Sequence, residues 1–339
     1  MVKTRSGLSV LLILAALAGT QARGEDFYKG KRIDIVVGAT PSGSFDLIAR
    51  SLARHMGRHI PGGPAIIVQN MPGAGSLTAL FYLDANAPKD GTVLGVFLPG
   101  IITQSFVTPD KIGLDLKKLA WVGVVSADNT RVCYGYGPDG VKSWDDLMRR
   151  TKDRPFIMGT TGTGASNYIN GQSLVLAFQA NLKIIMGFPG STELRLAVER
   201  GELDGDCGGF VGIPPDWISS GKAHPFVRFA AERAPGIPAS AVYVGDMAKT
   251  DEQKQLLAFL YGADQLGRPF VMSRQVPPER LQIMRAAFDE TMRDPAFLAD
   301  MERQQEPVNP VTGVEAERLY NAMSQVPAEI VAKARKIYE

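Results

Sequence analysis

Short apolar runs alternate with glycine-rich turns and amphipathic stretches through the first two thirds of the chain. Lys31–Val37 ends in the wholly apolar Ile35-Val36-Val37, the pattern of a strand covered on both faces. It runs into the turn Gly38–Ser44 and then helical spacing over Phe45–Met56. Pro61-Gly62-Gly63-Pro64 breaks the chain before a second strand, Ala65–Val68. The turn Asn70–Ser76 leads into a second helix, Leu77–Asn86, and Thr92–Leu98 predicts a third strand.

The middle of the chain repeats that rhythm. Trp121–Val125 and Val132–Tyr136 read as strands, and Ser143–Arg150 as a capped helix. Phe156–Met158 feeds the turn Gly159–Ser166 and a helix to about Ala180, and Lys183–Met186 feeds Gly187–Ser191 and the helix Thr192–Arg200. Glu202–Cys207 and Pro225–Ala230 are further strands, with a short helix at Pro214–Trp217 between them. The last third is mainly helical: Asp251–Leu260, Pro278–Arg293, Pro295–Gln304, Gly313–Ser324 and Pro327 onward. Strand, glycine turn and helix in succession predict the α/β class, with mainly parallel sheets flanked by helices.

Composition bounds the size of this structure. With 339 residues, 45% hydrophobic and 21% charged, the chain has the length for two lobes, each with its own core. At the N-terminus, Lys3 and Arg5 precede the apolar run Leu8–Ala18, followed by small and polar residues to Gly24. This reads as a signal peptide over residues 1–24, cleaved after Ala22 or Gly24, with Ala18 as an alternative. The run falls short of the roughly 20 residues that cross a bilayer, so no membrane insertion of the mature chain is expected. No cysteine stands near the cleavage region to carry a lipid.

Loss of Lys3, Arg5 and Arg23 with the leader turns the formal charge of +2 into −1. No block of basic residues remains to track a phosphate backbone, so nucleic acid is not an expected partner. Cys133 and Cys207 are either a disulfide, which an oxidising compartment permits, or two separate buried thiols.

Catalytic chemistry is thinly represented. The three histidines are His55, His59 and His224. His55 and His59 have i,i+4 spacing, but Met56 stands where a zincin carries glutamate, so a solvated basic helix end is expected and no metal site. There is no nucleophile elbow, P-loop or complete dinucleotide fingerprint; Gly162-Thr163-Gly164 lacks the third glycine. No cofactor is expected. A secreted hydrolase using Ser166 or Ser191 would lack a sequence-evident base. Asp204 and Asp206 flank Gly205 at a strand end, where carboxylates suit a cation, a ligand amine or plain solvent.

The recurrent turns carry more weight. A helix N-terminus leaves backbone N–H groups unpaired and bears partial positive charge, and glycine lets an anion come close. The candidate ligand-binding residues are therefore Ser42, Gly43, Ser44, Phe45 and Asp46; Gly73, Ala74, Gly75 and Ser76; Thr160, Thr161, Gly164, Ala165 and Ser166; and Phe188, Pro189, Gly190 and Ser191. Asp46 is expected to organise its helix start, since it would repel an anion. Phe45 either packs on an apolar ligand body or staples the helix.

Three of these stretches resemble a known family. Pro41–Arg50 looks like a Pro-Gly turn with Asp followed by Ala-Arg; Asn70–Gly75 matches Asn-x-Pro-Gly-Ala-Gly; and Ala87–Thr92 is similar to Ala-Pro-x-Asp-Gly-Thr. Weaker likeness continues through Gly267-Arg268-Pro269 and Val276–Arg280. The family is the Bug/TctC-type periplasmic solute-binding protein of tripartite tricarboxylate transporters, here a divergent branch. Many members end the last strand of the second lobe with Asp-Asn, where this chain has Gly208-Gly209, and small residues stand where it has Phe45.

The resemblance implies a two-lobed, type II-like periplasmic binding protein. Residues 25–125 and 230–339 would form lobe 1 and 126–229 lobe 2, joined by crossovers near Val122–Val125 and Phe226–Ala230. It implies a monomeric periplasmic receptor, not an enzyme, that closes on a small organic anion and delivers it to membrane transport subunits. A receptor presenting its closed form to a signalling partner would share the same fold and ligand site.

Overall fold

A computed structural model describes residues 27–127, 129–163 and 165–338; the expected leader and Gly164 lie outside the described residues. The elements in chain order begin with β1 (Arg32–Val37), α1 (Ser44–Met56), β2 (Ala65–Asn70), α2 (Leu77–Phe81), β3 (Val93–Val96), α3 (Gly100–Val107), α4 (Pro109–Ile112) and β4 (Leu119–Val124). There follow β5 (Val132–Tyr136), α5 (Trp144–Arg150), β6 (Phe156–Thr160), α6 (Ser166–Phe178), β7 (Leu182–Met186), α7 (Ser191–Glu199), β8 (Gly205–Asp206), α8 (Pro215–Ser219), β9 (Ala223–Arg228) and β10 (Val242–Tyr243). The chain ends with α9 (Asp251–Gly262), β11 (Pro269–Ser273), α10 (Pro278–Thr291), α11 (Pro295–Arg303), β12 (Val311–Thr312), α12 (Gly313–Met323) and α13 (Ala328–Arg335). Among the described residues, no helix is long and apolar enough to cross a membrane.

The chain divides into two compact units. The first holds the residues up to Phe97, Leu116–Val125 and Arg268–Glu317; the second holds Leu98–Asp115, Ser126–Gly267 and the residues from Arg318 onward. The chain passes out of the first unit after Val125 and returns to it at Arg268, where the sequence reading set the return near Ala230. Residues 98–115, 230–267 and 318 onward thus go with the second unit, where the sequence reading put them in lobe 1. Side-chain contacts give the reason. Gln253 Nε2 donates to Ala177 O at 2.8 Å, Arg131 pairs with Asp264 at 2.9 Å, and Arg335 Nε donates to Val107 O at 2.7 Å. These partners are far apart in sequence, so local pattern does not announce them.

The described residues of the first unit contain a six-stranded mixed sheet in the order β12-β4-β11-β3-β1-β2. β1 pairs in parallel with both β2 and β3, while β11 and β12 are antiparallel additions. Register sets Val37 opposite Asn70, so the turns that follow β1 and β2 leave the same edge of the sheet side by side. On α1, Ile48, Ala49, Leu52 and Met56 form the buried stripe of an amphipathic helix. They meet Ile33, Ile35 and Val37 of β1 and Met284 and Phe288 of α10 in one core.

The second unit holds another six-stranded mixed sheet, β10-β9-β5-β8-β6-β7. β6 runs parallel to β7 with Thr160 opposite Met186, and parallel to β8 through Met158 and Gly205. The ends of β6, β7 and β8 therefore share one edge. Cys133 of β5 and Cys207, just past β8, form a disulfide across this sheet, both buried.

Candidate functional site

The turn after β1 is organised around Asp46, a buried carboxylate in the first turn of α1. Its Oδ2 accepts from the Ser42 N–H at 2.8 Å and Arg50 Nε at 3.0 Å, and its Oδ1 accepts from Asn70 Nδ2 at 2.9 Å. Asn70 in turn takes a bond from Arg50 Nη2 at 2.9 Å and donates to Ala39 O at 3.1 Å. Burial alone would raise the Asp46 carboxyl, but the hydrogen bonds from Arg50, Ser42 and Asn70 outweigh it and hold it below the usual carboxylate range. Asp46 and Arg50 come from the first signature and Asn70 from the second, so the two signatures fold into one network. Asp46 thus ties the turn before α1 to the end of β2.

The second turn has a different origin. Gly73, Ala74, Gly75 and Ser76 all have positive φ (134°, 45°, 64° and 84°). Glycine takes such angles freely, whereas alanine and serine take them at some cost. Ser76 is held there by burial and by an Oγ–H bond to Gly38 O at 2.8 Å. A side chain on Gly73 would collide with Thr78 Oγ1, while a Cβ on Gly75 would meet no protein atom within 4 Å. Gly73, Ala74 and Gly75 are exposed, as are Ser42 and Gly43 of the neighbouring turn. The third signature is a strand-starting device: Asp90 Oδ1 accepts from Thr92 N (3.0 Å) and Oγ1 (2.6 Å) as β3 begins.

Phe45 is half-buried and packs on the first core, with the Arg268 guanidinium 4.9 Å from its ring centroid. Ser44 Oγ donates to Glu306 Oε2 at 2.9 Å. Of the first group, then, Ser42 and Gly43 present backbone, Ser44 and Phe45 point into side-chain contacts, and Asp46 is spent internally.

In the second unit Thr160 is buried, and its Oγ1 donates to Asn167 Oδ1 at 2.8 Å. Asn167 Nδ2 reaches Gly159 O at 3.1 Å and Asp206 Oδ1 at 3.3 Å, tying β6 to β8. Thr161 is exposed, and Ala165 and Ser166 are partly buried at the start of α6. Phe188 N donates to Thr160 O at 3.2 Å, which sets the turn after β7 against the turn after β6. The Phe188 ring packs on the core of this unit, close over Gly159, while Pro189 and Ser191 are exposed and Gly190 is partly buried. Asn167 escaped the sequence reading because nothing local marks a helical asparagine as a strand tie.

The histidines lie elsewhere. His224 Nε2 is 2.9 Å from Gly137 O, and His224 pairs with Gly135 at the end of the second sheet away from these turns. It does not serve Ser166 or Ser191 as a base. His55 and His59 are not a solvated helix end: His55 Nε2 lies 3.1 Å from Asp300 and His59 Nε2 lies 2.8 Å from Asp294. They clamp α1 to the C-terminal helices, whose aspartates are some 240 residues away in sequence. Among the described residues, no group of three or more His, Cys, Asp or Glu is placed to hold a metal ion.

No family model matches the chain. It is 23% identical over 201 residues to a UPF0065 protein from the tcbD-tcbE intergenic region of Pseudomonas sp. (strain P51), covering 59% of each. It is 26% identical over 177 residues to a UPF0065 protein from the TAR-I region of Agrobacterium vitis, covering 52% of this chain and 50% of that one. The matches thus span about half to three fifths of these curated relatives' lengths. Solved structures align over nearly the whole molecule. A TctC solute-binding protein from Polaromonas superposes with a TM-score of 0.69 at 16% identity, over 92% of this chain and 99% of that one. R. palustris Rpa4515 with adipate gives 0.69 at 17% identity, over 91% and 98%. MatC from Rhodopseudomonas palustris with bound malate gives 0.65 at 18% identity, over 91% and 99%. The chain thus has the fold of the TctC solute-binding protein and of the periplasmic binding protein BugD.

Proposed function

We propose that this chain is an exported periplasmic receptor that captures a small organic anion, a carboxylate, for a tripartite tricarboxylate-type transporter. The observation that carries the reading is the pair of exposed turns at one edge of the first sheet. Ser42–Gly43 and Gly73–Gly75 present main chain rather than charged side chains, and Ser42–Gly43 leads directly into the N-terminus of α1. Backbone N–H groups and the helix dipole favour an anion there. Asp46 is neutralised by Arg50 and turned inward, and Glu306 is engaged by Ser44 Oγ. The Ser42 N–H is already engaged by Asp46, so the ligand is left to the groups around it.

The second unit has, by itself, an edge of similar kind at Thr161, Ala165–Ser166 and Pro189–Ser191, and we propose it as a second candidate ligand-binding edge. Bound adipate in Rpa4515 and malate in MatC, proteins of the same fold, support a carboxylate as the ligand class. Transfer to membrane subunits is proposed by analogy of fold.

Gly75→Asp tests the site. No protein atom stands near the new Cβ and aspartate tolerates positive φ, so the variant should fold. Its carboxylate would occupy and repel the anion position. A thermal-shift screen of mono-, di- and tricarboxylates should find a ligand for the parent chain and none for the variant. Stabilisation grows to about 2.7 kcal/mol at a hundredfold excess over Kd, so a real ligand is plain. Undiminished binding by a folded Gly75→Asp would remove the turn pair from the site.

A further inference from the structure

Asp206 ends β8 at the edge of the second sheet from which the Thr161–Ser166 and Phe188–Ser191 turns also leave. We propose that Asp206 selects, among carboxylates, those that also carry a hydrogen-bond donor, a hydroxyl or an ammonium group. The inference rests on the reading of these turns as a ligand-binding edge.

Asp46 and Asp206 each stand beside a pair of turns, and their surroundings are opposite. Asp46 is saturated by Ser42, Arg50 and Asn70. Asp206 has, among the described residues, Asn167 Nδ2 at 3.3 Å and the adjacent Cys207 N–H. Asn167 is already committed: its amide also bonds Gly159 O, and its carbonyl oxygen takes Thr160 Oγ1 and Tyr168 N. Arg195, whose charge acts on Asp206, directs Nη1 to Gly212 O and Nη2 to Thr192 Oγ1 instead. Tyr134 lies opposite on β5 and contributes no charge at neutral pH. A carboxylate so short of donors has acceptor capacity to give to a ligand.

Two further features keep that capacity usable. A Cβ on Gly208 would come within 2.7 Å of Asp206 Oδ2, so the glycine holds open the space beside this oxygen. The Cys133–Cys207 disulfide anchors the strand end, fixing where the carboxylate stands. An anionic group arriving beside Asp206 meets like charge, whereas a hydroxyl or ammonium group satisfies it. Burial also pushes the Asp206 carboxyl up to about 6, as expected of an acid without enough donors.

The test is calorimetric titration of the mature chain at pH 7.5 with succinate, malate and aspartate. These share a four-carbon dicarboxylate frame and differ in bearing no donor, a hydroxyl or an ammonium group. Malate or aspartate should bind about tenfold or more tightly than succinate. Asp206→Asn, which gains an N–H donor, should narrow that ratio by raising succinate and lowering the other two. Should Asp206→Asn fail to fold, Gly208→Ala, which fills the space beside Oδ2, should lower only the donor-bearing ligands. Succinate binding as tightly as the others, or a ratio unmoved by a folded variant, overturns the selection while leaving the carboxylate receptor intact. If none of the three binds, the comparison passes to adipate with 2-aminoadipate and benzoate with 4-hydroxybenzoate. Silence across all of them overturns the receptor reading and the selection with it.

Discussion

Ser76 and Gly38 meet so closely that neither has room for another side chain at the contact. Ser76 Oγ donates to Gly38 O at 2.8 Å, and a Cβ on Gly38 would stand 2.5 Å from Ser76 Cβ. This contact joins the second turn to the end of β1 and so fixes the spacing of the two turns. Gly38→Ala is expected to cost about 1–3 kcal/mol, the usual range for overpacking, and to weaken ligand binding as the turns part. Adding Ser76→Gly removes the two nearest atoms and suits the positive φ, so the double variant should recover part of the loss. Urea denaturation of the parent, both single variants and the double completes the cycle. Strict additivity would show that the two residues do not couple.

Asp46 makes a second prediction, with a defined sign. Its carboxyl sits below the ordinary range, as do those of Asp300, Asp294 and Asp146; in each, donated hydrogen bonds from arginine and other partners outweigh burial. Groups lowered on folding stabilise the protein above their unfolded values, and that stability is lost as pH falls through the folded ones. Unfolding free energy should therefore drop steadily below about pH 4. Asp46→Ala should lose roughly 1–3 kcal/mol at pH 7, by stranding Asn70 and the Ser42 N–H, and should flatten part of the acid slope. An unchanged slope would place the acid sensitivity in the other pairs alone.

The disulfide carries the third. Cys133 and Cys207 are 74 residues apart, and closing a loop of that size constrains the unfolded chain by about 2–4 kcal/mol. Replacing both by serine should lower the melting temperature accordingly and loosen the strand end that bears Asp206. Denatured, unreduced parent protein should show no free thiol from this pair. Two free thiols would overturn the bridge.

What the sequence shows and what it hides follow from how far each feature reaches along the chain. β1, β2, β3 and the turns after them were legible because strand, glycine turn and helix start are local, each read within about a dozen residues. β11 was not: Pro269–Ser273 is a fully buried strand, but its proline and its five-residue length disguise it. The helix Gly100–Val107 was also missed, since the β-branched pair Ile101-Ile102 followed by the polar run Thr103-Gln104-Ser105 offers no helical stripe. The boundary between the units was hidden in Gln253, Asp264 and Arg335, whose partners lie 76 to 228 residues away. At the site, the inward role of Asp46 could be argued from charge alone. Its partners Arg50 and Asn70 stood in the signatures without a visible purpose until β1 and β2 were paired in register.

Asp206 should leave a mark on stability opposite to that of Asp46. Its carboxyl is pushed up to about 6 by burial, against roughly 4 for an unfolded aspartate. Below about pH 4 it is protonated in both states and costs nothing. Between about 4 and 6 the unfolded chain ionises first, so stability falls as pH rises, and above that range the penalty is constant. Its size is on the order of 2–3 kcal/mol. Asp206→Asn removes the titrating group, so the variant should gain on the parent across pH 4 to 6.5 and then hold that advantage. Taking the difference between the two proteins cancels the acid-lowered carboxyls, which both retain. Chemical denaturation at half-unit pH steps reads the effect directly, and a difference that stays flat from pH 4 to 7 would refute it. A stabilised variant with altered ligand preference would mark Asp206 as a group kept at a cost to the fold, which is where function is usually found.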